Sequence, residues 1–572
     1  MLRLRMVFSN WPGVPALSRL FARKAAGERP ARRVVDHSRR SRSRVLLAAA
    51  VFAAGYATIA GRLLTLAVAE QQPAVFLATA ADGVSQARPD IRDRNGVLLA
   101  TDIRTPSLYA DPHRIYDVDE AIELLTAAIP ELDAAGLRTK LKSDKRFVWL
   151  KRELTPEQRD TIHNFGLPGI GFIEENRRFY PSGRLTSHVV GHVNIDNAGI
   201  AGMEKHIDKM GLADLHDAGF ARNEDQAPVT LTLDVRVQHA LRDEIIKAME
   251  TFSAKAGAGV VLNVHTGEVL ALVSMPDYDP NEPATALEKE AINRITAGVY
   301  ELGSTFKAFT VAMALDSGEA DFNTTYDARS PIRVASFTIN DFHAQRRILT
   351  LPEVFTHSSN IGTAKMALAA GIERHKEFMH RMGFFERPHT ELPESAEPLT
   401  PSRWSDLASM TISFGHGFSV APIQAAAAGA ALMNGGLLVD PTFLPRSEAQ
   451  ARALGRQVVK PSTSDMMREL FRMNVAEGTA GKAEAKGFRV GGKTGTAEKV
   501  VNGRYSNTKL LTSFLAAFPT DKPEYLMLLM LDEPQATKET HGYRTSGWNA
   551  VPTSGKVITR IAPLLGVKPV LD

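Results

Sequence analysis

Apolar and polar positions are patterned most sharply in the second half of the chain. Val229-Thr230-Leu231-Thr232-Leu233 alternates with period two, as a strand does. Asp234 then caps a helix whose apolar positions run from Val235 to Phe252. Gly259 to Asn263 and Val269 to Ser274 are two apolar runs joined by His265-Thr266-Gly267, the pattern of a hairpin. A helix-rich stretch follows, from about 285 to 480. Three strand-like runs come next, Phe488–Lys499, Leu510–Phe518 and Tyr525–Leu531, and Asn502-Gly503 turns the first toward the second. A last helix falls near Ser554 to Leu565. Helices inserted between the early and late strands of one antiparallel sheet predict an α/β (α+β) domain over 229–572.

Residues 70–228 are different: polar and mixed, with short strand-like and helix-like pieces and no long period. They predict a separate, elongated mixed domain. The Asp-, Ala- and Gly-rich stretch from Gly211 to Pro228 forms the junction. Nearer the N-terminus an apolar run from Val45 to Ala60 is interrupted at Arg62 and resumes from Leu63 to Ala69. With Arg62 snorkelling toward a headgroup, 45–69 is long enough for the roughly 20 residues of a membrane helix.

Charge sharpens this picture. Residues 1–44 carry twelve Arg and Lys against Glu28 and Asp36, which leaves the rest of the chain mildly acidic despite a net charge of +4. Basic residues before the span put the N-terminal arm in the cytoplasm and everything from about residue 70 outside. A basic arm also suits nucleic acid, but this one stops against the apolar run, so no nucleic-acid partner is expected. Ala67-Val68-Ala69 has the form of a signal-peptide cleavage site; the long basic arm and Arg62 favour an uncleaved anchor instead. The chain has no cysteine, which excludes disulfides, thiolate metal sites and a cysteine nucleophile.

Three short motifs carry the candidate chemistry. Ser304-Thr305-Phe306-Lys307 opens an apolar helix reaching Leu315. A Ser-x-x-Lys match alone is weak, since about two arise by chance in such a length, and Ser506-Asn507-Thr508-Lys509 is a second copy, in a turn region. At Ser304, however, the spacing puts serine and lysine on one helix face, at a first turn whose free N–H groups favour negative charge. A serine needs an adjacent base, and Lys307 serves only if an apolar setting or another cation keeps it neutral. Ser358-Ser359-Asn360 begins a second helical segment and by itself equally suits an N-cap. Lys493-Thr494-Gly495-Thr496 lies on the first closing strand, which is expected to face a cleft. Lys493 offers a fixed charge, Thr494 a hydroxyl for a carboxylate, and Gly495 room for a substrate backbone.

Gly487-Phe488-Arg489-Val490-Gly491-Gly492-Lys493-Thr494 also satisfies the phosphate-binding G-x-x-x-x-G-K-[ST] pattern. That pattern needs a strand before its first glycine and a helix after its Lys-Thr. Here a polar stretch precedes it and a strand with an Asn-Gly turn follows, which argues against an ATPase.

Taken together, the order S-x-x-K, S-x-N, K-T-G resembles the serine penicillin-recognising enzymes. Further segments resemble the class B penicillin-binding proteins, over residues from about 88 to 560. Asp93-Arg94-Asn95-Gly96 with Leu99-Ala100 is similar to the first motif of their membrane-proximal pedestal. Arg178-Phe179-Tyr180-Pro181, Gly191 and Gly199-Ile200-Ala201-Gly202-Met203-Glu204 are similar to the second. Leu231-Thr232-Leu233-Asp234 with Gln238, Asn293-Arg294, and Phe414-Gly415-His416-Gly417 with Ala421-Pro422-Ile423-Gln424 match segments of the catalytic domain. Leu302 departs from a usual proline, and Pro89-Asp90 from a glycine expected after Arg88.

The resemblance implies a penicillin-binding transpeptidase domain with a serine β-lactamase-like fold over 229–572. Before it would come a non-catalytic, dimerisation-like pedestal over 70–228, the anchor at 45–69 and the cytoplasmic arm at 1–44. It further implies a peptidoglycan D,D-transpeptidase in the cytoplasmic (inner) membrane, its catalytic domain periplasmic. The implied substrates are D-Ala-D-Ala stem peptides, with β-lactams as covalent inhibitors. Ser304 would be the nucleophile and Lys307 its base, with Ser358 relaying a proton and Lys493 keeping that hydroxyl acidic. Asn360 would hold the substrate amide, Thr494 and Thr496 the terminal carboxylate, and the Ser304 and Thr496 N–H groups an oxyanion. The simple layout and the Gly199-to-Glu204 segment look more like the cell-division than the elongation branch. The implied partners are then a polytopic lipid-II glycan polymerase and other septal membrane proteins. A β-lactam sensor would carry a larger cytoplasmic signalling region, and a non-catalytic septal scaffold could lose the motifs. No cofactor or metal is implied: His375 and His380, five apart on a helix, face different ways, and no H-E-x-x-H occurs.

Overall fold

The computed structural model describes residues 49–60, 87–212, 227–334 and 337–570. Residues 49–60 form a helix that belongs to a compact unit of its own. The arm at 1–44, the remainder of the 45–69 span, the Ala67-Val68-Ala69 sequence and most of the Gly211–Pro228 junction lie outside the described residues. Among the described residues no helix is long and apolar enough to cross a membrane.

From residue 87 onward the first layer is a small sheet. Its central strand, Leu98–Ala110, pairs antiparallel with Ile170–Phe179 over ten positions, from Thr101 opposite Phe179 to Ala110 opposite Ile170. Val148–Lys151 and Ile91–Arg92 also pair with it. Three helices, Val118–Ala128, Ala134–Leu141 and Pro156–Asn164, start at Asp117, Asp133 and Thr155, whose side chains accept from the free backbone N–H groups of the first turn. They bury Ile122, Leu125, Leu137 and Ile162 against Leu108 and Leu150 of the sheet.

The alternating segment expected as one strand, Val229 to Leu233, is a strand only at Val229–Thr230, which joins the first sheet, parallel to Ile91–Arg92. Beyond it Leu231 N–H still donates to the Arg92 carbonyl and the Leu233 carbonyl accepts from Arg94 N–H, while on the other edge Thr232 N–H donates to the Phe443 carbonyl and Asp234 N–H to that of Leu270. Asp93 strengthens the crossing. One of its carboxylate oxygens closes its own turn by accepting from Asn95 and Val97 N–H, and the other accepts from Val235 N–H at 3.1 Å.

The second sheet has five antiparallel strands in the order Gly491–Val501, Arg504–Phe518, Tyr525–Asp532, Ala256–Asn263 and Val269–Met275. Its central strands read as unbroken apolar runs because both faces are covered. Leu515, Leu528 and Val260 pack under one group of helices, and their neighbours Phe514, Met527 and Val261 face Val235–Thr251 and Ala550–Leu564 on the other side. The Ala-rich helix Pro422–Met433 is buried on every residue. Small side chains allow that approach, since a Cβ at Gly429 would stand 3.0 Å from Leu515. The expected architecture, helices inserted between early and late strands of one antiparallel sheet, is present.

Candidate active site

Ser304 does not open the α-helix itself. It lies half-buried on a 3₁₀ turn, Gly303–Phe306, and the α-helix Lys307–Ser317 begins at the lysine. The helix is anchored by apolar burial: Phe306 and Phe309 pack on Phe384 at centroid distances of 5.2 and 4.9 Å, and Phe306 on Phe418 at 5.8 Å. Each such side chain contributes about 1.5–3 kcal/mol, so a charged Lys307 in the same core comes at the expense of that packing.

The turn lies directly on the strand Gly491–Val501. A Cβ on Gly303, which has φ +53°, would stand 2.4 Å from the Thr496 carbonyl oxygen, and one on Gly495 would stand 2.2 Å from Thr305 Oγ1 and 2.4 Å from the Leu302 carbonyl. Gly495 is thus required by the packing of the Ser304 turn against the strand. Leu302, the departure from proline, is buried there.

Ser358 comes from the end of the preceding segment. Its φ of +57° is strained for a residue with a side chain. The helix Asn360–Ala370 starts after Ser359, whose hydroxyl accepts from Gly362 N–H. Two residues without a sequence signal hold this corner. The Asp341 carboxylate accepts from Ser359 Oγ at 2.7 Å and from Ile361 N–H at 2.9 Å, and the Asn340 carbonyl accepts from Asn360 Nδ2 at 2.8 Å. Both lie in an irregular stretch just after the short strand Phe337–Ile339.

The three motifs converge on one atom. Ser358 Oγ lies 3.0 Å from Lys307 Nζ and 3.0 Å from Lys493 Nζ, and Lys307 Nζ also donates to the Ser358 carbonyl at 2.5 Å. Lys493, expected on a cleft-facing strand and outside the core, is fully buried at 0% exposure, with its ammonium 5.6 Å from the centre of the Phe355 ring. Thr494 Oγ1 is paired with Thr479 Oγ1 at 3.0 Å, which is fixed in turn by Asn474. Thr496 Oγ1 accepts from Ser546 N–H.

Burial pushes the Lys307 pKa well below the ordinary lysine value. The charge of Lys493 pushes it the same way, and only Asp341 opposes. Burial brings Lys493 down to about 7. Two cations this close to one hydroxyl do not coexist at little cost, so the arrangement favours a neutral Lys307 beside a charged Lys493. A neutral amine held at a hydroxyl can move a proton, and the neighbouring cation can stabilise the resulting oxyanion.

The rival motifs end elsewhere. Ser506 and Lys509 stand on the outer part of the strand Arg504–Phe518, with Lys509 exposed. The phosphate-binding pattern has its Lys-Thr inside the strand Gly491–Val501, with no helix after it. His375 is buried against Ser409 Oγ at 3.1 Å, whereas His380 is exposed beside Glu386.

Comparison with known proteins agrees with the geometry. Residues 257–551 match the family described as penicillin binding protein transpeptidase domain, and residues 84–214 match the penicillin-binding protein dimerisation domain. The chain is 43% identical over 497 residues to the probable peptidoglycan D,D-transpeptidase FtsI of Caulobacter vibrioides, covering 85% of this chain and 83% of that one. It is 34% identical to the probable peptidoglycan D,D-transpeptidase PenA of Neisseria gonorrhoeae, over 84% of this chain and 85% of the relative. For the peptidoglycan D,D-transpeptidase FtsI of Escherichia coli the figures are 30%, 85% and 85%. With a dimerisation segment followed by a transpeptidase segment, and likeness over most of each relative's length, the chain belongs to the class B penicillin-binding proteins.

Proposed function

We infer that the chain is a peptidoglycan D,D-transpeptidase of septal wall synthesis, acting through a serine acyl-enzyme and acylated by β-lactams. The observation that carries this is the single hydroxyl of Ser358 held 3.0 Å from two buried lysines, one of them three residues after Ser304. Neutral Lys307 takes the Ser304 proton as Ser304 Oγ attacks the carbonyl of the D-Ala-D-Ala bond. The oxyanion lies between the Ser304 and Thr496 N–H groups; the close backbone approach of Gly303 to Thr496 supports that placement. The C–N bond then breaks, and the leaving amine receives the proton from Lys307 through Ser358. An acceptor amine attacks the ester and gives up a proton to Lys307, the bond to Ser304 Oγ breaks, and Lys307 returns that proton to Ser304.

Asn360, whose Nδ2 is occupied by Asn340, offers its amide oxygen to a substrate N–H. Thr494, Thr496 and the charge of Lys493 take the terminal carboxylate. The domain boundaries at 44, 69 and 228, the single inner-membrane anchor and the polytopic lipid-II polymerase as partner belong to the same proposal. They are supported by the basic arm, the apolar run and the likeness to the relatives.

The test is covalent labelling with a fluorescent penicillin, with the labelled peptide identified by mass spectrometry. Ser304→Ala abolishes labelling and Ser506→Ala leaves it intact; the reverse pattern overturns the assignment.

A further inference from the structure

The Ser304 turn is the middle layer of a backbone stack. On one side lies the Thr496 strand; on the other lies Gly415, where a Cβ would stand 2.1 Å from the Gly303 carbonyl oxygen. Glycine contacts bring the layers close but do not lock them sideways. Two side-chain ties do that. Thr305 Oγ1 meets Ser513 Oγ at 2.9 Å on the inner side. On the outer side Glu301, three residues before Ser304, has one carboxylate oxygen accepting from Gly417 N–H at 2.9 Å and from Tyr505 Oη–H at 3.0 Å.

Tyr505 reaches there because the hairpin bends. Pairing between the strands Gly491–Val501 and Arg504–Phe518 jumps from Glu498 opposite Leu510 to Lys499 opposite Ser506, leaving Asn507, Thr508 and Lys509 looped out. The tip beyond that bulge is held at its base by Lys499 on Asp532 and Glu533, and laterally by Tyr505, whose ring stacks edge-on to His416 at 5.5 Å. Glu301's second carboxylate oxygen and His416 Nδ1 are buried without a partner among the described residues. Burial pushes the Glu301 carboxyl up, and the hydrogen bonds from Gly417 and Tyr505 oppose that.

We propose that Tyr505 is a positioning residue for acylation: its hydroxyl and the Gly417 N–H clasp Glu301 and so fix the Ser304 turn laterally against the Thr496 strand. The inference rests on Ser304 as nucleophile. A nucleophile displaced by a fraction of an ångström loses rate without losing substrate binding.

The experiment measures saturation kinetics of penicillin acylation on the purified full-length chain. Tyr505→Phe, which keeps the ring on His416, lowers the limiting acylation rate by about tenfold and leaves the non-covalent dissociation constant within about twofold. Glu301→Ala does the same, the double variant is no slower than Glu301→Ala, and Glu301→Gln, which keeps the acceptor oxygen, recovers most of the rate. Ser304→Ala is run alongside. If it still labels, the nucleophile assignment fails. If it is inert while Tyr505→Phe acylates within twofold of wild type, loses only affinity, or multiplies with Glu301→Ala, the clasp is overturned and the nucleophile stands. Should Tyr505→Phe fold poorly, the rescue of Glu301→Ala by Glu301→Gln carries the test alone, and its absence overturns the clasp.

Discussion

Among the described residues, the charges buried around Glu204 and those buried around Ser358 are built on opposite rules. In the first sheet's surroundings, Arg88 and Arg178 share Glu204 at 2.8 and 2.6 Å, and Arg178 also meets Asp102 at 3.0 Å. Arg178 Nη2 donates to the Pro89 carbonyl as well, which ties down the backbone of the unexpected Pro89-Asp90 sequence. Burial disfavours the Arg178 charge, yet Glu204 and Asp102 outweigh it and hold its pKa above the ordinary value. In the second group, Lys307 and Lys493 converge on Ser358, and burial and like charge act on Lys307 in the same direction. Compensated charges make a framework that resists titration; uncompensated ones make a base poised to titrate. The two segments expected from the pedestal resemblance, around Arg88 and around Arg178 to Glu204, thus meet to form a buried charge cluster, whereas the three candidate motifs meet at the hydroxyl of Ser358, a residue of strained backbone.

Removing one partner should separate the two groups most clearly. Glu204→Ala leaves two buried guanidinium groups short of an anion and should destabilise by about 3–5 kcal/mol. Calorimetry checks the loss, and penicillin acylation by the folded fraction should stay near wild type. Loss of acylation without loss of stability would reverse the roles assigned to the two groups.

Lys493→Ala should slow acylation by roughly two to three powers of ten, the loss of about 3–4 kcal/mol of charge stabilisation in an enclosed site. Lys493→Arg should recover only part of that, since a planar guanidinium does not fit a point-charge site. The pH dependence sharpens the comparison. Acylation requires neutral Lys307, so the rate falls as pH drops through its lowered pKa. Without the repelling Lys493 charge that pKa rises, and the acid limb of the rate profile in Lys493→Ala should move to higher pH. An unmoved limb would show that Lys493 does not act on Lys307.

The smallest effect concerns stability. Lys493→Met removes a buried, uncompensated cation and should stabilise by about 1–2 kcal/mol while reducing activity. The folded pKa of Lys493, about 7, lies below its ordinary value of 10.5. Below about 7 the penalty of charging it in the fold is complete, and it is relieved as the pH rises toward 10.5. The gap in stability between variant and wild type should therefore close over that window, as denaturant titrations at several pH values would record.

Local patterning alone determined the elements that carry the site. The Asn502-Gly503 turn, the hairpin around His265-Thr266-Gly267, the Asp234-capped helix and the closing strands are all dictated by neighbours in sequence, and each is present. The order of the three motifs singled out Ser304, Lys307, Ser358 and Lys493 as candidates, because side-chain type and spacing survive any rearrangement of loops, and the fold brings Lys307, Ser358 and Lys493 together. What lies between sequence-distant backbones was not legible. No local rule shows that Thr232 and Asp234 bridge to Phe443 and Leu270, that Asp341 holds the Ser358 corner, or that Lys493 is fully buried. Nor does sequence show that Gly495 makes room for the Ser304 turn, or that a bulge carries Tyr505 to Glu301. Those facts depend on which surfaces meet once the sheet has closed, and so does the difference between a paired and an unpaired buried charge. Spacing along the chain brings candidate groups near one another. Only the packed structure fixes whether each one meets an opposite charge, a like charge or none.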